Sequence, residues 1–275
     1  MKLIALALIS VLMSGVVFAA QSKSTATPLS DEIRLKQECN SGNVNKCVAL
    51  GEMYSTGDDD FKITKDLKKS ITYLQLGCDG GSEEGCFNLG MAYLNGDGVK
   101  QDYSKAAELF KNACDSNEVT GCDNLGLMYF NGDGVTQDYL NAFQYFQKAC
   151  TLKVTSCTNL GSLYQHGQGT KQDYFKAFEL YKSACDGGEV VSCSNLGALY
   201  SLGNGTKQDY FKAFEVTQKS CNGGYGSGCY NLGLAYLYGA GIRQSKIDAL
   251  KYFGKACDLK NQKGCEEYAK LNTGK

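Results

Sequence analysis

Gly85-Cys86-Phe87-Asn88-Leu89-Gly90, then Tyr93, Asn95-Gly96-Asp97-Gly98-Val99, Gln101-Asp102-Tyr103, Lys105-Ala106, and finally Phe110, Ala113 and Cys114 form one unit of a pattern that decides the fold. The next four units repeat it, with Asn124-Leu125-Gly126, Asn159-Leu160-Gly161, Asn195-Leu196-Gly197 and Asn231-Leu232-Gly233 followed three residues on by Tyr129, Tyr164, Tyr200 and Tyr236. A fixed period of about 36 residues with two helix-sized segments per unit predicts an all-α fold, a right-handed α/α superhelix or solenoid.

Within a unit, helix A is expected from about the first cysteine to the residue before the glycine turn, with Leu89 and Tyr93 on one face. Helix B is expected to start at an Asp102 N-cap and to place Ala106, Phe110 and Ala113 at helical spacing. Alanine and glycine at the contacts let antiparallel helices approach closely. Stacking of units then buries the apolar stripe that a single unit leaves exposed. The Gly-x-Gly segments, such as Gly96-Asp97-Gly98 and Gly167-Gln168-Gly169, lack a preceding strand and a phosphate-binding lysine and read as turns at positive φ.

All fourteen cysteines fall in pairs seven or eight positions apart: Cys39/Cys47, Cys78/Cys86, Cys114/Cys122, Cys150/Cys157, Cys185/Cys193, Cys221/Cys229 and Cys257/Cys265. Eight residues along one helix span about 12 Å, beyond the roughly 7 Å limit for disulfide Cα atoms, so the chain must reverse within each pair. Asp79-Gly80-Gly81-Ser82, Asp186-Gly187-Gly188 and Asn222-Gly223-Gly224 supply such turns. A competing scheme, Cys86 to Cys114 and its equivalents, strands Cys39 and Cys265, whereas the local scheme uses every cysteine. The local scheme is preferred, and it staples helix B of one unit to helix A of the next. Longer ligand spacing than structural zinc prefers, and the lack of a C-x-x-C, argue for disulfides over metal or redox sites.

Six A–B pairs follow, flanked by half-units from about Ser30 to Cys39 and from about Cys265 to Leu271, giving a solenoid over residues 30–271 and a tail of 272–275. The first unit carries extra residues between Thr56 and Thr64, including Asp58-Asp59-Asp60, and the Cys150/Cys157 turn is one residue short. Lys2, the apolar run Leu3 to Phe18 and Val17-Phe18-Ala19 read as a signal peptide over 1–19, followed by a flexible leader over 20–29. A secreted or periplasmic protein is expected, with no membrane association after cleavage and oxidative folding machinery as a partner in maturation. The formal charge of −1 is interspersed along the repeats, which leaves no footprint for nucleic acid.

The string Asn-Leu-Gly-x-x-Tyr-x-x-Gly-x-Gly, followed by Gln-Asp-Tyr-x-Lys-Ala and a closing Ala-Cys, resembles Sel1-like repeats, relatives of the tetratricopeptide repeat. With a cysteine pair at each unit boundary and a signal peptide, the chain resembles the Helicobacter cysteine-rich protein family over about Asp31 to Leu271. Ala49 replaces the usual asparagine in the first unit, and Val216-Thr217 interrupts the aromatic position of helix B in the fifth. The resemblance implies two functions: an adaptor that holds proteins or peptides, and a penicillin-binding protein with weak β-lactamase activity.

Residue chemistry favours binding. The chain has no Ser-x-x-Lys, Ser-Asp-Asn or Lys-Thr-Gly, and its one histidine, His166, sits beside Gly167 as a surface turn residue. No cofactor is expected and no catalytic residue can be named. The binding candidates are Asn88, Asn124, Asn159, Asn195 and Asn231, because asparagine is a mediocre helix former and recurs here in the first turn of five helices. Each could satisfy backbone groups of the adjoining turn. Alternatively, on the concave face, the amides could form a ladder for an extended peptide, a protein segment or a cell-wall fragment. Tyr93, Tyr129, Tyr164, Tyr200 and Tyr236 are expected in inter-helix packing.

Overall fold

The computed structural model describes residues 28–273, so the expected signal peptide, the leader up to residue 27 and the last two residues lie outside the described residues. The described chain is an all-α solenoid of helix pairs. A capping helix α1 (Pro28–Asn40) is followed by α2 (Val44–Thr56) and α3 (Leu67–Asp79), α4 (Glu83–Asn95) and α5 (Tyr103–Asp115), and α6 (Val119–Asn131) and α7 (Tyr139–Leu152). Then come α8 (Cys157–His166) and α9 (Tyr174–Asp186), α10 (Val190–Leu202) and α11 (Tyr210–Asn222), α12 (Gly226–Tyr238) and α13 (Lys246–Asp258), and the closing cap α14 (Gln262–Thr273). The chain forms two compact units, one running to Ala113 and including Asp133–Val135, the other made of Cys114–Gly132 and everything from Thr136.

Boundaries differ from expectation for local reasons. α1 opens at Pro28 instead of Ser30, which a proline at the first helical position permits because its missing N–H has no intrahelical partner there. Three A helices, α4, α6 and α10, start about a turn before their cysteine, because a side chain upstream caps them. Ser82 Oγ accepts from Gly85 N at 3.1 Å, the Glu118 carboxylate accepts from Gly121 N, and Glu189 Oε1 accepts from Val191 N at 3.1 Å. In the fourth repeat the shortened turn is taken up by a 3-10 turn over Val154–Ser156 and a shorter α8. In the first, residues 57–66 replace the shorter link 96–102 of the next repeat and are closed by reciprocal Asp58–Ile63 backbone bonds of 2.8 Å.

The recurring Gln-Asp-Tyr, replaced in the sixth repeat by Gln244-Ser245-Lys246 with Ser245 as the cap, is a joint between the two helices of a pair. The glutamine Nε2 donates to a carbonyl in the last turn of the A helix: Gln101 to Leu94, Gln137 to Phe130, Gln172 to Gln165, Gln208 to Ser201 and Gln244 to Leu237, at 2.7–2.8 Å. The aspartate then caps the B helix, as when Asp102 Oδ1 accepts from Lys105 N at 3.0 Å. Backbone groups that a helix end leaves without partners are thereby satisfied from within the repeat.

Core packing repeats as well. The glycine of four of the five Asn-Leu-Gly motifs lies under a buried aromatic of its B helix, with Phe110 on Gly90 in the first unit, and Phe146 on Gly126, Tyr181 on Gly161 and Phe253 on Gly233 in the second. A side chain on any of these glycines would collide with the ring, so the glycine sets how closely the two helices approach. Seven disulfides join successive repeats, Cys39–Cys47, Cys78–Cys86, Cys114–Cys122, Cys150–Cys157, Cys185–Cys193, Cys221–Cys229 and Cys257–Cys265, with Cα separations of 4.3–4.8 Å. Such a set suggests an oxidising, extracellular or periplasmic compartment. No helix among the described residues is long and apolar enough to cross a membrane.

Candidate functional site

The five asparagines are half-buried on the A helices, and the earlier helix starts move them from the first turn to the second in α4, α6, α10 and α12. In the first unit Asn88 Nδ2 donates to Glu52 Oε1 of α2 at 2.9 Å. Burial and the Glu84 carboxylate push Glu52 up, while this hydrogen bond holds it down. In the second unit Asn124 turns back on its own helix and donates to Thr120 O at 2.8 Å. The others reach the preceding repeat: Asn159 stands against the Asp123 carboxyl, Asn195 against the Tyr181 hydroxyl, and Asn231 Nδ2 donates to Ser194 Oγ at 3.3 Å. The asparagines thus mostly link side chains of neighbouring A helices instead of satisfying backbone groups of the adjoining turn.

Asp123 gives this arrangement a pH signature. Its Oδ1 is buried without a hydrogen-bond partner, and burial pushes the carboxyl up to about 6 against the hydrogen bonds of Ser156 and Asn159, with Glu118 and Glu189 adding to the rise. The unfolded carboxyl ionises near 3.8, so between these values the folded state holds a proton that the unfolded state has lost. Stability therefore falls as pH rises from 3.8 to about 6 and stays lowered above it. Asp123→Asn is expected to raise stability on the order of 2–3 kcal/mol near pH 7 and to change it little near pH 3. Urea midpoints at the two pH values check this, and an equal gain at both would remove the carboxyl's charge as the cause.

A second feature lies at the fifth repeat. Thr217 occupies the position that holds Phe110, Phe146, Tyr181 or Phe253 in other repeats, and its Oγ1 sits over Gly197 where those repeats place a ring. Beside it, between α10, α11 and α12, opens a cavity of about 340 Å³ with Asn231 in its wall and Ala198, Ala213, Phe214 and Leu234 around it. Its rim carries Leu202, 67 % exposed, and Tyr238, 74 % exposed. A pocket of this size, mainly apolar with a few polar groups, is the usual form of a ligand site. Of its residues, sequence reading singled out Asn231 and the Thr217 interruption separately, and the fold brings them together. The rim was missed, although a signal exists: the last residue of helix A is Asn95, Asn131 or His166 in three repeats and becomes Leu202 and Tyr238 in the last two.

The other candidates have structural partners. His166 is the last residue of α8, one position ahead of the turn, and its Nδ1 lies 2.9 Å from Ser162 O. The tyrosines of the A helices pack between helices, with Phe143 edge-on to Tyr164, Phe178 to Tyr200 and Phe214 to Tyr236 at centroid distances of 5.1–5.5 Å. Lys105, Lys176 and Lys212 lie over the faces of Tyr93, Tyr164 and Tyr200.

The Sel1 repeat model matches six successive segments of the chain, residues 47–82, 83–118, 120–154, 154–189, 190–225 and 226–261. No curated protein matches the chain. Among solved structures it is similar to c5321, a protective antigen of uropathogenic Escherichia coli with an SLR fold, at 25 % identity and a TM-score of 0.78 over 91 % of this chain and 53 % of that one. The chain therefore spans about half the length of that antigen. It is also similar to a Sel1 repeat protein from Oxalobacter formigenes, at 24 % identity and a TM-score of 0.75, over 84 % of this chain and 94 % of the other. Helicobacter pylori cysteine rich protein B is 34 % identical over 47 % of this chain and 94 % of its own, with a TM-score of 0.36. With six matched repeats covering most of its length, the chain belongs to the Sel1 repeat family.

Proposed function

We propose that this protein is an exported binding scaffold that seats a polypeptide segment on the A-helix face of its second unit. Sel1 repeats generally mediate protein–protein interactions, which supports a protein partner. The observation that supports the location is the cavity between α10 and α12, where a half-buried amide, Asn231, borders an apolar pocket with exposed Leu202 and Tyr238 at its rim. An extended segment would place its main chain against the amides and one side chain in the pocket. Export rests on the amino-terminal segment and on the disulfides, which need an oxidising compartment.

Panning a displayed library of random dodecapeptides on the oxidised protein tests the reading. Enriched peptides are expected to bind in the micromolar range and to lose roughly tenfold or more on Tyr238→Ala, a change at an exposed side chain. Peptides that bind equally well to Tyr238→Ala would move the site elsewhere. Cell-wall muropeptides and a chromogenic β-lactam belong in the same comparison. Turnover that co-elutes with the oxidised protein would favour the β-lactamase reading implied by the family resemblance, and saturable muropeptide binding would favour a cell-wall ligand.

A further inference from the structure

We infer that the cavity beside Thr217 is a receptor for one aromatic ring, the Phe or Tyr side chain of a bound polypeptide; the inference rests on the scaffold reading above and names what its pocket takes. In the third, fourth and sixth repeats a ring of the B helix lies on the glycine of the A helix: Phe146 on Gly126, Tyr181 on Gly161 and Phe253 on Gly233, with a Cβ on the glycine meeting the ring at 2.6–2.7 Å. These three rings are fully buried. The fifth repeat keeps the glycine, Gly197, and the surrounding helices but replaces the ring by Thr217, and the cavity opens beside that pair. The surface left there is one that accommodates an aromatic ring in the neighbouring repeats, and Tyr181 shows that a hydroxyl can be carried too.

The walls agree with this. Ala198, Ala213 and Ala235 leave room, and the Phe214 ring offers an aromatic neighbour, which rings meet edge-on or offset. Phe214 already meets Tyr236 edge-on at 5.5 Å. The pocket opens between Leu202 and Tyr238, whose exposure leaves apolar surface for the carrier of the ring outside the cavity. Asn231 makes one side-chain hydrogen bond, a long one of 3.3 Å to Ser194, so it can turn to a ligand's main chain at little cost.

Amide-resolved NMR titration of the oxidised protein with N-acetyl-tyrosinamide, N-acetyl-phenylalaninamide and N-acetyl-leucinamide tests the inference. Saturable shifts are expected at Ala198, Leu234 and Tyr238, with the aromatic amides binding about fivefold or more tighter than the leucine one. Thr217→Phe restores the ring of the other repeats, so it is expected to fold, to melt at the same temperature or higher, and to bind the aromatic amides more than about tenfold more weakly. If that variant does not fold, Ala198→Phe at the exposed rim is expected to give the same loss. Equal binding of the leucine amide, unchanged binding by the filled variant, or no saturable shift up to about 10 mM would overturn the inference. Peptides from the library that bind but are indifferent to Thr217→Phe would sink it and leave the scaffold reading standing. Ring binding with no retained peptide would do the reverse.

Discussion

Full reduction is expected to unfold the protein, or to lower its melting temperature by more than about 20 °C, as read by helical circular dichroism with and without a strong thiol reductant. Each bond closes a loop of seven or eight residues, for which the chain-entropy estimate is about 2.5 kcal/mol. Seven such contributions, even heavily discounted for non-additivity, are comparable to the whole net stability of about 5–15 kcal/mol expected of a folded domain. Each bond also ties a B helix, or the amino-terminal cap, to the A helix or cap that follows, so it acts where one repeat must stay stacked on the next. Cys114, Cys122, Cys221 and Cys229 are fully buried, and reduction would leave their thiols in the repeat interface. Removing one bond by the paired change Cys221→Ser and Cys229→Ser should cost roughly 2–5 kcal/mol in urea unfolding. A reduced protein that melts where the oxidised one does would show that packing alone holds the solenoid.

Gly205→Ala is expected to be among the most damaging single substitutions, at roughly 3–5 kcal/mol. Gly205 has φ +71°, and a Cβ there would land on the carbonyl group of Tyr174 at the start of the preceding B helix and 2.9 Å from Phe175 N. The second glycine of each Gly-x-Gly turn repeats this approach: Gly98 on Leu67 and Gly134 on Tyr103 in the first unit, Gly169 on Tyr139 and Gly241 on Tyr210 in the second. Because the obstacle is backbone, relief requires the turn to lift off the neighbouring repeat. Gly224 supplies the control, since it has φ +85° and a Cβ there would meet nothing within 4 Å. Gly224→Ala should therefore cost only about 1–2 kcal/mol for the left-handed backbone. Equal losses from the two variants would mean that the turn-to-helix contact between repeats contributes nothing.

These two results separate what was legible in the chain from what was not. The helix pairs and the turns were legible, because period, glycine placement and Asp102-type caps are local features that each repeat states again. The two roles of the Gly-x-Gly turn were not distinguished: the first glycine, such as Gly203 at φ +72°, ends its own helix, whereas Gly205 is required by another repeat. The starts of α6 and α10 lie ahead of the expected ones because Glu118 and Glu189 cap through long side chains that the sequence does not mark as caps, whereas α8 starts at its cysteine as expected. The asparagines stood out as unusual, but the partners of Asn88, Asn159 and Asn231 lie on the preceding repeat, at Glu52, Asp123 and Ser194, positions that vary along the array.

The amino-acid sequence by itself determined the all-α solenoid, six helix pairs with two caps, and the neighbours each cysteine could reach, since all follow from short-range geometry repeated at a fixed period. Tertiary structure decided where a cavity opens. Thr217 was visible as an interruption in a pattern, but a missing ring becomes a cavity only if the flanking helices keep their spacing, and that depends on packing against the repeats on either side.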